Sequence, residues 1–440
     1  MREKIIKLKN GGVLIYEKSK LNNCSAVEVG FLSGSFVEKK PGTAHMLEHN
    51  LFKKTKTRTN AMVESDRNKI VFLNASTSMD YLVIKFFRTN KLINESLDFA
   101  YDILMNSIID DEYFENEKGV ISEELNMCLD NESRDIFVKN LKQTIAEAKS
   151  SSDIVGKTTK NINSIKFSDL KNYKTKNFVG NNFVASVVSS LSFSKIKKLI
   201  NSKFVKNIPY KDSYKPEKKY YDVCDVNMPS SVKIFKTQQE KVTAILSIKL
   251  DVNELDIYTK NYNYVFLTKY FSGVQGDLFL KLRNKGLIYR LSSDISSYKN
   301  SSLFNIIFET SREKVKEIFD IIALEVKKVV YENISEEKIE SFKANLEYMD
   351  DESMPKKSSL KVHMNLLDYI CFGKLFRLKP KQRKELYKSV SANSAKDLAR
   401  DIFNKKHDIF VTILGNATKK DVPNLEYFKN NFLVVEDEKE

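Results

Sequence analysis

The chain has 440 residues, of which 42% are hydrophobic and 30% are charged. These values are typical of a folded globular protein and exclude a disordered chain, while the length predicts two or three domains. Lys and Arg exceed Asp and Glu by 15, but only 11 of the 73 cationic residues are Arg, and the Lys residues are interleaved with acidic ones. The charge therefore predicts a solvated basic surface, and nucleic-acid binding is the least favoured class of function.

Four cysteines lie far apart without a Cys-x-x-Cys pair: Cys24, Cys128, Cys224 and Cys371. This spacing argues against a disulfide scaffold or a thiolate zinc site and is typical of a reducing compartment. The first residues contain no apolar stretch long enough for a secretion signal, and no apolar run reaches the length of a membrane span. We therefore expect a cytoplasmic protein without membrane insertion.

Periodicity and turn residues predict strands and helices throughout the first half of the chain. The expected elements are two short strands within 4–18, a strand over 25–32, a helix from 43, a Lys/Thr-rich loop over 53–60, strands over 69–76 and 81–87, helices over 92–104 and 112–149, a helix from 168, a strand over 183–189 and a helix over 193–204.

The second half repeats this style. The expected elements are strands over 231–235 and 242–251, a helix over 255–271, strands over 287–297 and 302–309, helices over 313–330 and 335–372, and a helix near 394 that leads into a strand over 409–415. We infer an α+β fold with two similar domains, each an antiparallel-rich sheet with helices on one face, in a duplicated half-barrel-like arrangement. Two unrelated α+β domains are the alternative.

A linker is expected between the two domains. Residues 206–230 contain three of the seven prolines and show little periodicity. The predicted domains are therefore 1–205, with the candidate site, and 231–440.

The sequence His45-Met46-Leu47-Glu48-His49 contains the pattern His-x-x-Glu-His. Residues four apart share one face of a helix, so His45 and His49 can present two imidazole nitrogens to one metal ion. Glu48 lies beside them, where its carboxylate could take a proton from water. The motif predicts a zinc site, because two of only four histidines fall at this spacing around a glutamate.

A catalytic zinc site takes three protein ligands, so a third is needed. Within the helical stretch 112–149, Glu117 and Glu124 are seven residues apart and face the same side of the helix. A carboxylate from this second helix would complete a His-His-Glu site.

Three segments resemble the pitrilysin (insulinase, mitochondrial-processing-peptidase) family of zinc peptidases. They are Gly-Thr-Ala-His-Met-Leu-Glu-His-Asn-Leu-Phe at 42–52, Glu-x6-Glu-Leu-x-Met from Glu117, and Asn-Ala-Ser-Thr at 74–77. The resemblance extends over nearly the whole chain, since the duplicated halves match the repeated domain of that family. The chain length is similar to the short-chain branch, which includes the mitochondrial processing peptidase and bacterial processing proteases.

The resemblance implies a role for each residue of the motif. His45, His49 and Glu124 would bind one Zn²⁺ per chain, Glu48 would be the general base, and Glu117 would orient a ligand. Glu123 competes with Glu124 as third ligand, and the Glu-Leu-x-Met register favours Glu124.

The same resemblance implies residues that hold the substrate. Asn74, Ala75 and Thr77 would lie on an edge strand that pairs with an extended peptide. Arg283 and Tyr289 are similar to an Arg and a Tyr that grip substrate in the family, although the interval from Arg283 to Gly286 is one residue shorter than usual. Ile70-Val71 stands where members often carry Gly-Gly.

These observations predict a zinc endopeptidase that cleaves peptides or unfolded precursor segments in a chamber formed by a homodimer or by a heterodimer with a related subunit. A catalytically silent structural or partner subunit is one alternative. A maturation protease dedicated to one leader or bacteriocin-type precursor is another.

Overall fold

The computed structural model describes residues 3–19, 23–70, 72–129, 132–272, 277–349, 357–376, 378 and 380–436. The strands are β1 (Glu3–Lys7), β2 (Val13–Lys18), β3 (Cys24–Phe31), β4 (Lys54–Thr55), β5 (Asn74–Thr77), β6 (Leu82–Thr89), β7 (Ser107–Ile108), β8 (Phe183–Ser189), β9 (Ser231–Lys236), β10 (Lys241–Leu250), β11 (Arg290–Ser297), β12 (Ser302–Ser311) and β13 (Ile409–Gly415).

The helices are α1 (Thr43–Leu51), α2 (Asn60–Asn68), α3 (Ile93–Asn106), α4 (Asp111–Leu129), α5 (Glu132–Thr144), α6 (Ser151–Val155), α7 (Thr159–Ser164), α8 (Phe167–Asn177), α9 (Phe193–Ile200), α10 (Glu254–Lys260), α11 (Asn263–Ser272), α12 (Asp277–Asn284), α13 (Val315–Tyr331), α14 (Glu336–Met349), α15 (Lys357–Phe372), α16 (Pro380–Ser389), α17 (Ala392–Ile402) and α18 (Leu425–Phe432).

The chain folds into two compact units. Unit 1 comprises Met1–Asn131, Lys149–Asp222 and Glu352–Leu375, and unit 2 comprises Glu132–Ala148, Val223–Asp351 and Phe376–Glu440. The division after Asp222 falls inside the predicted linker. The sequence predicted two contiguous domains, 1–205 and 231–440. In the structure α5, from the first half of the chain, belongs to unit 2, and α15, from the second half, belongs to unit 1.

Unit 1 contains a six-stranded sheet in the order β1-β2-β8-β3-β6-β5. All neighbours are antiparallel except β2 and β8, which run parallel. Side chains alternate between the faces of a strand, so Leu14 and Tyr16 of β2 point to one core with Val27 and Val29 of β3. This core also contains the apolar face of α1, which fixes α1 against the sheet.

Unit 2 contains a five-stranded sheet in the order β11-β12-β10-β13-β9. Only β13 and β9 are parallel, so this order repeats β5-β6-β3-β8-β2 of unit 1 strand for strand. The repeated topology confirms the predicted α+β fold with two similar, antiparallel-rich sheets. The difference is β1, which pairs with the outer edge of β2 and for which the described residues of unit 2 provide no counterpart.

Each sheet also carries one helix on its second face, in addition to the helices expected on the first. In unit 1, Leu366 and Ile370 of α15 pack against Ile15 and Val184. In unit 2, α5 is held by buried polar contacts as well, because the Asn140 amide donates to Ser247 Oγ at 3.1 Å. These contacts explain why α5 and α15 join sheets that are distant from them in sequence.

The region after α1 differs from the expected loop and strand. The expected strand over 69–76 is confined to Asn74–Thr77, and Val71 lies outside the described residues. The expected loop is followed by α2, whose N-terminus is capped by Thr59. Only Val63 of α2 is buried, so the helix has little of the hydrophobic periodicity by which helices are recognised in sequence.

Among the described residues, none of the helices has both the length and the apolar composition that crossing a bilayer requires.

The segment between α1 and α2 is anchored by the buried carboxylate of Asp102 in α3. Asp102 Oδ2 accepts hydrogen bonds from the Thr57 hydroxyl at 2.9 Å and from Arg58 Nη1 at 2.6 Å, and Oδ1 accepts one from the Asn106 amide at 2.8 Å. Burial alone would raise the pKa of Asp102, but these donors, with the Thr55 hydroxyl, outweigh it and lower the pKa.

We expect Asp102→Asn to lower the free energy of unfolding by about 3 kcal/mol at pH 7, because the Arg58 guanidinium loses its buried partner. Since the pKa is lowered in the folded state, this contribution is present above about pH 3.9, the ordinary unfolded value, and is lost as the pH falls further. Urea unfolding between pH 3 and 7 measures it. The control is Asp98→Asn on the same helix, which changes the half-buried partner of Lys203 and should cost less than about 1 kcal/mol; an equal loss in both variants would contradict the assignment.

Candidate metal centre

The N-terminus of α1 is set by Gly42 and Glu38. Gly42 is the N-cap, at φ +90°, and a Cβ atom there would lie 2.9 Å from the Gly156 Cα and Val155 O atoms. The Glu38 carboxylate accepts hydrogen bonds from the Gly42 and Ala44 amides at 2.7 and 2.8 Å, which satisfies two free N–H groups of the helix end. Burial raises the pKa of Glu38 to about 8, against the lowering effect of these bonds. The hydroxyl of Thr43, the first residue of α1, donates to the Lys40 carbonyl.

The helix α1 presents both histidines on the face opposite its core contacts. Ala44, Leu47 and Leu51 are buried in the core of unit 1, so the i, i+4 pair His45 and His49 is turned to the other side. The two imidazole ring centres are 4.7 Å apart. This is the arrangement that the His-x-x-Glu-His spacing predicted.

A second helix, α4, brings Glu124 to the same point. Glu124 Oε2 lies 3.6 Å from His45 Nε2 and 3.5 Å from His49 Nε2. His45, His49 and Glu124 form a group whose ligand atoms all lie within 4.8 Å of one another. Glu123, the competing candidate, is exposed to solvent and is not part of this group.

These positions suit a metal ion. Ligand atoms bound tetrahedrally at about 2.0–2.2 Å from one Zn²⁺ lie roughly 3.3–3.6 Å apart, which is close to the Nε2–Oε2 separations found here. Two imidazoles and one carboxylate are also a donor set that zinc accepts in catalytic sites. Burial, with the neighbouring His49, lowers the pKa of His45 to about 3, so this ring is in the neutral form that a metal requires.

Glu117 contacts His49 from behind. Its Oε2 atom is 2.7 Å from His49 Nδ1, the ring nitrogen that faces away from Glu124, and its Oε1 atom is 2.5 Å from Lys53 Nζ. The hydrogen bond to His49, with help from Lys53 and against burial, lowers the pKa of Glu117 to about 2. For His49, burial lowers the pKa, but the carboxylates of Glu117, Glu124 and Glu48 outweigh it and raise the pKa. Glu117 thus fixes the orientation of the His49 ring.

Glu48 is held by a residue of the sheet edge. Its Oε2 atom accepts a hydrogen bond from the Thr77 hydroxyl at 2.5 Å. Burial raises the pKa of Glu48 despite this bond, and the Glu124 carboxylate raises it further. Sequence reasoning placed Thr77 on a substrate strand but did not find this contact, nor that of Lys53 with Glu117. Thr77 reaches Glu48 because β5 pairs with β6, with Thr77 opposite Leu82, and lies beside α1. This placement depends on strand pairing, which the residues of β5 alone do not reveal.

A cavity of about 530 Å³ contains the group. The expected strand residues Asn74, Ala75 and Thr77 line it together with His45, Glu48, His49, Glu117 and Glu124. The strand β5 is at the edge of its sheet, because it pairs with β6 on one side only. The sequence-predicted metal and edge-strand residues are therefore brought together.

Arg283 and Tyr289 are located in unit 2. Arg283 is in the last turn of α12, and its Nη1 atom donates to the Ile288 carbonyl at 3.3 Å. Tyr289 is 63% exposed and lies one residue before β11. Their substrate-binding role stays a prediction.

Two family models match the chain in succession. The model "Insulinase (Peptidase family M16)" matches residues 13–159, and the model "Peptidase M16 inactive domain" matches residues 164–346. The chain belongs to the insulinase family of peptidases. The first match contains every residue of the candidate metal centre. The resemblance inferred from the motifs is thereby confirmed.

Relatives with zinc-protease and processing-peptidase names are similar to this insulinase-family chain. An uncharacterized zinc protease of Rickettsia bellii is 25% identical over 409 residues, covering 91% of this chain and 95% of the relative. The mitochondrial-processing peptidase subunit beta of Saccharomyces cerevisiae is 32% identical over 219 residues, covering 48% of this chain and 46% of that protein.

Solved structures share the fold of this insulinase-family chain. A protease from Helicobacter pylori superposes with a TM-score of 0.75 at 19% identity, over 94% of this chain and 99% of that one. The first half of the periplasmic protease PqqL from Escherichia coli gives 0.74 at 14% identity, over 98% and 97% of the two chains.

We expect Glu117→Gln to weaken zinc binding by roughly 10- to 100-fold, because a neutral amide orients and polarises the His49 ring less well than a carboxylate. Competition with a fluorescent chelator measures the affinity. Glu115→Gln, which changes an exposed carboxylate of the same helix, should leave the affinity unchanged. Equal affinities of wild type and Glu117→Gln would show that Glu117 does not act through His49.

Proposed function

We propose that this protein is a zinc-dependent endopeptidase that cleaves peptides or unfolded precursor segments. The observation that carries the proposal is the convergence of His45, His49 and Glu124 in one cavity with Glu48 beside them. Membership of a peptidase family and the zinc-protease names of relatives support it.

His45, His49 and Glu124 would hold the ion, and Glu117 would keep His49 in the tautomer that binds it. Zinc at this position would supply Lewis acidity, polarising a peptide carbonyl and making water more acidic. Besides these residues, the chain supplies Glu48, a carboxylate in the same cavity that can accept a proton.

Glu48 is the general base of the proposal. A buried carboxylate with a raised pKa accepts a proton near neutral pH more readily than an exposed one, since its charged form is destabilised. The Thr77 hydroxyl holds Glu48 in the cavity, where its carboxylate would take a proton from the attacking water. The protonated Glu48 then returns that proton to the amine nitrogen of the leaving fragment, which restores the carboxylate.

The edge strand β5 would position the substrate. The free backbone edge at Asn74 and Ala75 lies on the cavity wall, so an extended peptide that pairs with it would run past Glu48. Main-chain hydrogen bonds do not depend on which side chains the substrate carries, which suits a peptidase that acts on unfolded segments. A protease dedicated to one precursor would use the same site.

We further propose that the active form is a dimer, of identical chains or with a related subunit, that encloses a chamber. This chain matches what is described as half of a longer protease, and one relative is named as a subunit. Arg283 and Tyr289 would contact substrate from the second unit. A silent structural subunit is disfavoured, since all residues of the metal group are retained. No disulfide joins the four cysteines, all of which are among the described residues, and a cytoplasmic location stays a prediction.

We expect Glu48→Gln to bind zinc normally but to lower kcat by at least roughly 100-fold, because the amide cannot take a proton from water. His45→Ala should lose both zinc and cleavage. Hydrolysis of a quenched fluorescent peptide, with zinc quantified by mass spectrometry, measures both properties. The control is Glu123→Gln, which removes an exposed carboxylate next to Glu124 in sequence. Normal turnover of Glu48→Gln would refute the role of Glu48.

Light scattering coupled to size exclusion should find a dimer of about twice the 50.9 kDa chain mass, or a heterodimer when the protein is purified from its native source. Peptidase activity should follow the dimer fraction as the protein is diluted. A monomer with full activity per chain would contradict the chamber.

A further inference from the structure

The outer edge of β9 in unit 2 lacks the strand that its counterpart has in unit 1. By the repeated topology β9 takes the position of β2, whose outer edge is paired with the five residues of β1, Glu3–Lys7. As a result Leu14 and Ile15 of β2 are fully buried, whereas Val232 and Ile234 of β9 are only partly buried. No strand among the described residues pairs with the outer edge of β9.

The backbone of this edge is suited to accept another strand. The Thr237 amide donates to the Gly415 carbonyl at 3.0 Å and so points toward β13. Backbone groups of a strand alternate in direction, so those of Val232, Ile234 and Lys236 point away from β13, toward the open side. Unpaired groups of this kind are a template for strand addition.

A groove of about 1370 Å³ runs beside this edge. Its lining includes Asp135 and Lys139 of α5 and residues of the segment 418–425. Val232 and Ile234 line it from one face of β9 and Phe235 from the other, so the groove offers apolar contacts on both faces of an added strand. This composition suits an extended segment in which apolar side chains recur.

The rim of the groove is positively charged. Lys236, Lys419 and Lys420 are exposed, and no ion pair of these three is found among the described residues. The other two cations already have acidic partners, since Arg312 lies 2.7 Å from Asp421 and Lys139 lies 3.8 Å from Asp135. The positive charge that is not offset by an acidic partner therefore belongs to Lys236, Lys419 and Lys420. A second copy of a chain with net charge +15 matches it poorly.

We propose that this groove binds an extended acidic segment of a partner polypeptide, which adds antiparallel to β9 as β1 adds to β2. Main-chain hydrogen bonds to Val232, Ile234 and Lys236 hold the segment, and Lys236, Lys419 and Lys420 select its acidic side chains. The site lies in unit 2 and uses no residue of the metal centre, so the inference stands apart from the proposed peptidase activity.

Fluorescence anisotropy of the full-length protein with a labelled peptide Glu-Val-Glu-Val-Glu-Val-Glu tests the proposal, with peptide integrity checked by mass spectrometry. We expect saturable binding that weakens as salt is raised. The matched peptide Lys-Val-Lys-Val-Lys-Val-Lys should not bind. A Glu-Pro-Glu-Pro-Glu-Pro-Glu peptide keeps the charge but cannot donate from alternate residues, and it should bind at least several-fold more weakly.

The combined variant Lys236→Glu, Lys419→Glu and Lys420→Glu should lose on the order of tenfold in affinity. A control with the same charge change, Lys269→Glu, Lys281→Glu and Lys316→Glu, alters three exposed lysines of unit 2 away from the groove and should bind as the wild type does. Equal loss in both variants, or equal binding of the proline peptide, would overturn the proposal. Self-association that the groove variant abolishes would overturn it too, since the occupant would then be a second copy.

Discussion

The hydrogen bond between His49 Nδ1 and Glu117 Oε2 is the contact on which the candidate site depends. It joins α1 to α4 at 2.7 Å and places the opposite nitrogen of His49 toward Glu124. A buried carboxylate must have partners, and Glu117 has two, His49 and Lys53. Without the contact between His49 and Glu117, α1 and α4 would still carry the metal-binding residues, but the His49 ring would lose the hydrogen bond that orients it toward a metal ion.

The surroundings of α1 hold it in place for that contact. Its apolar face is part of the unit 1 core, its first amides bind the Glu38 carboxylate, and Gly42 allows close contact with Gly156. The site is thus built on packed helices, and the edge strand β5 reaches it through Thr77. Such a site has few ways to relax, which is the condition for holding a ligand set at fixed distances.

The two sheets show how one topology can serve different purposes. Unit 1 has the metal group and has its outer edge covered by β1, whereas unit 2 has the same strand order with an open edge at β9. The exchanged helices α5 and α15 cover the second face of each sheet. Sequence periodicity identified these two segments as helical but could not assign them to a sheet, because their buried faces contact strands far away in the chain.

The sequence by itself determined the motif and the fold class, because local periodicity and the His-x-x-Glu-His spacing are properties of neighbouring residues, whereas the order of strands that the two sheets share came from the structure. It also selected Glu117 and Glu124, since residues seven apart share a helix face. Tertiary structure decided that Glu124 rather than Glu123 faces the histidines, that Thr77 holds Glu48, and that α2 follows the motif helix. The first two depend on how α4 and β5 are placed in three dimensions, since contacts between distant segments leave no local pattern. The helix α2 was missed because it buries only Val63 and so lacks hydrophobic periodicity.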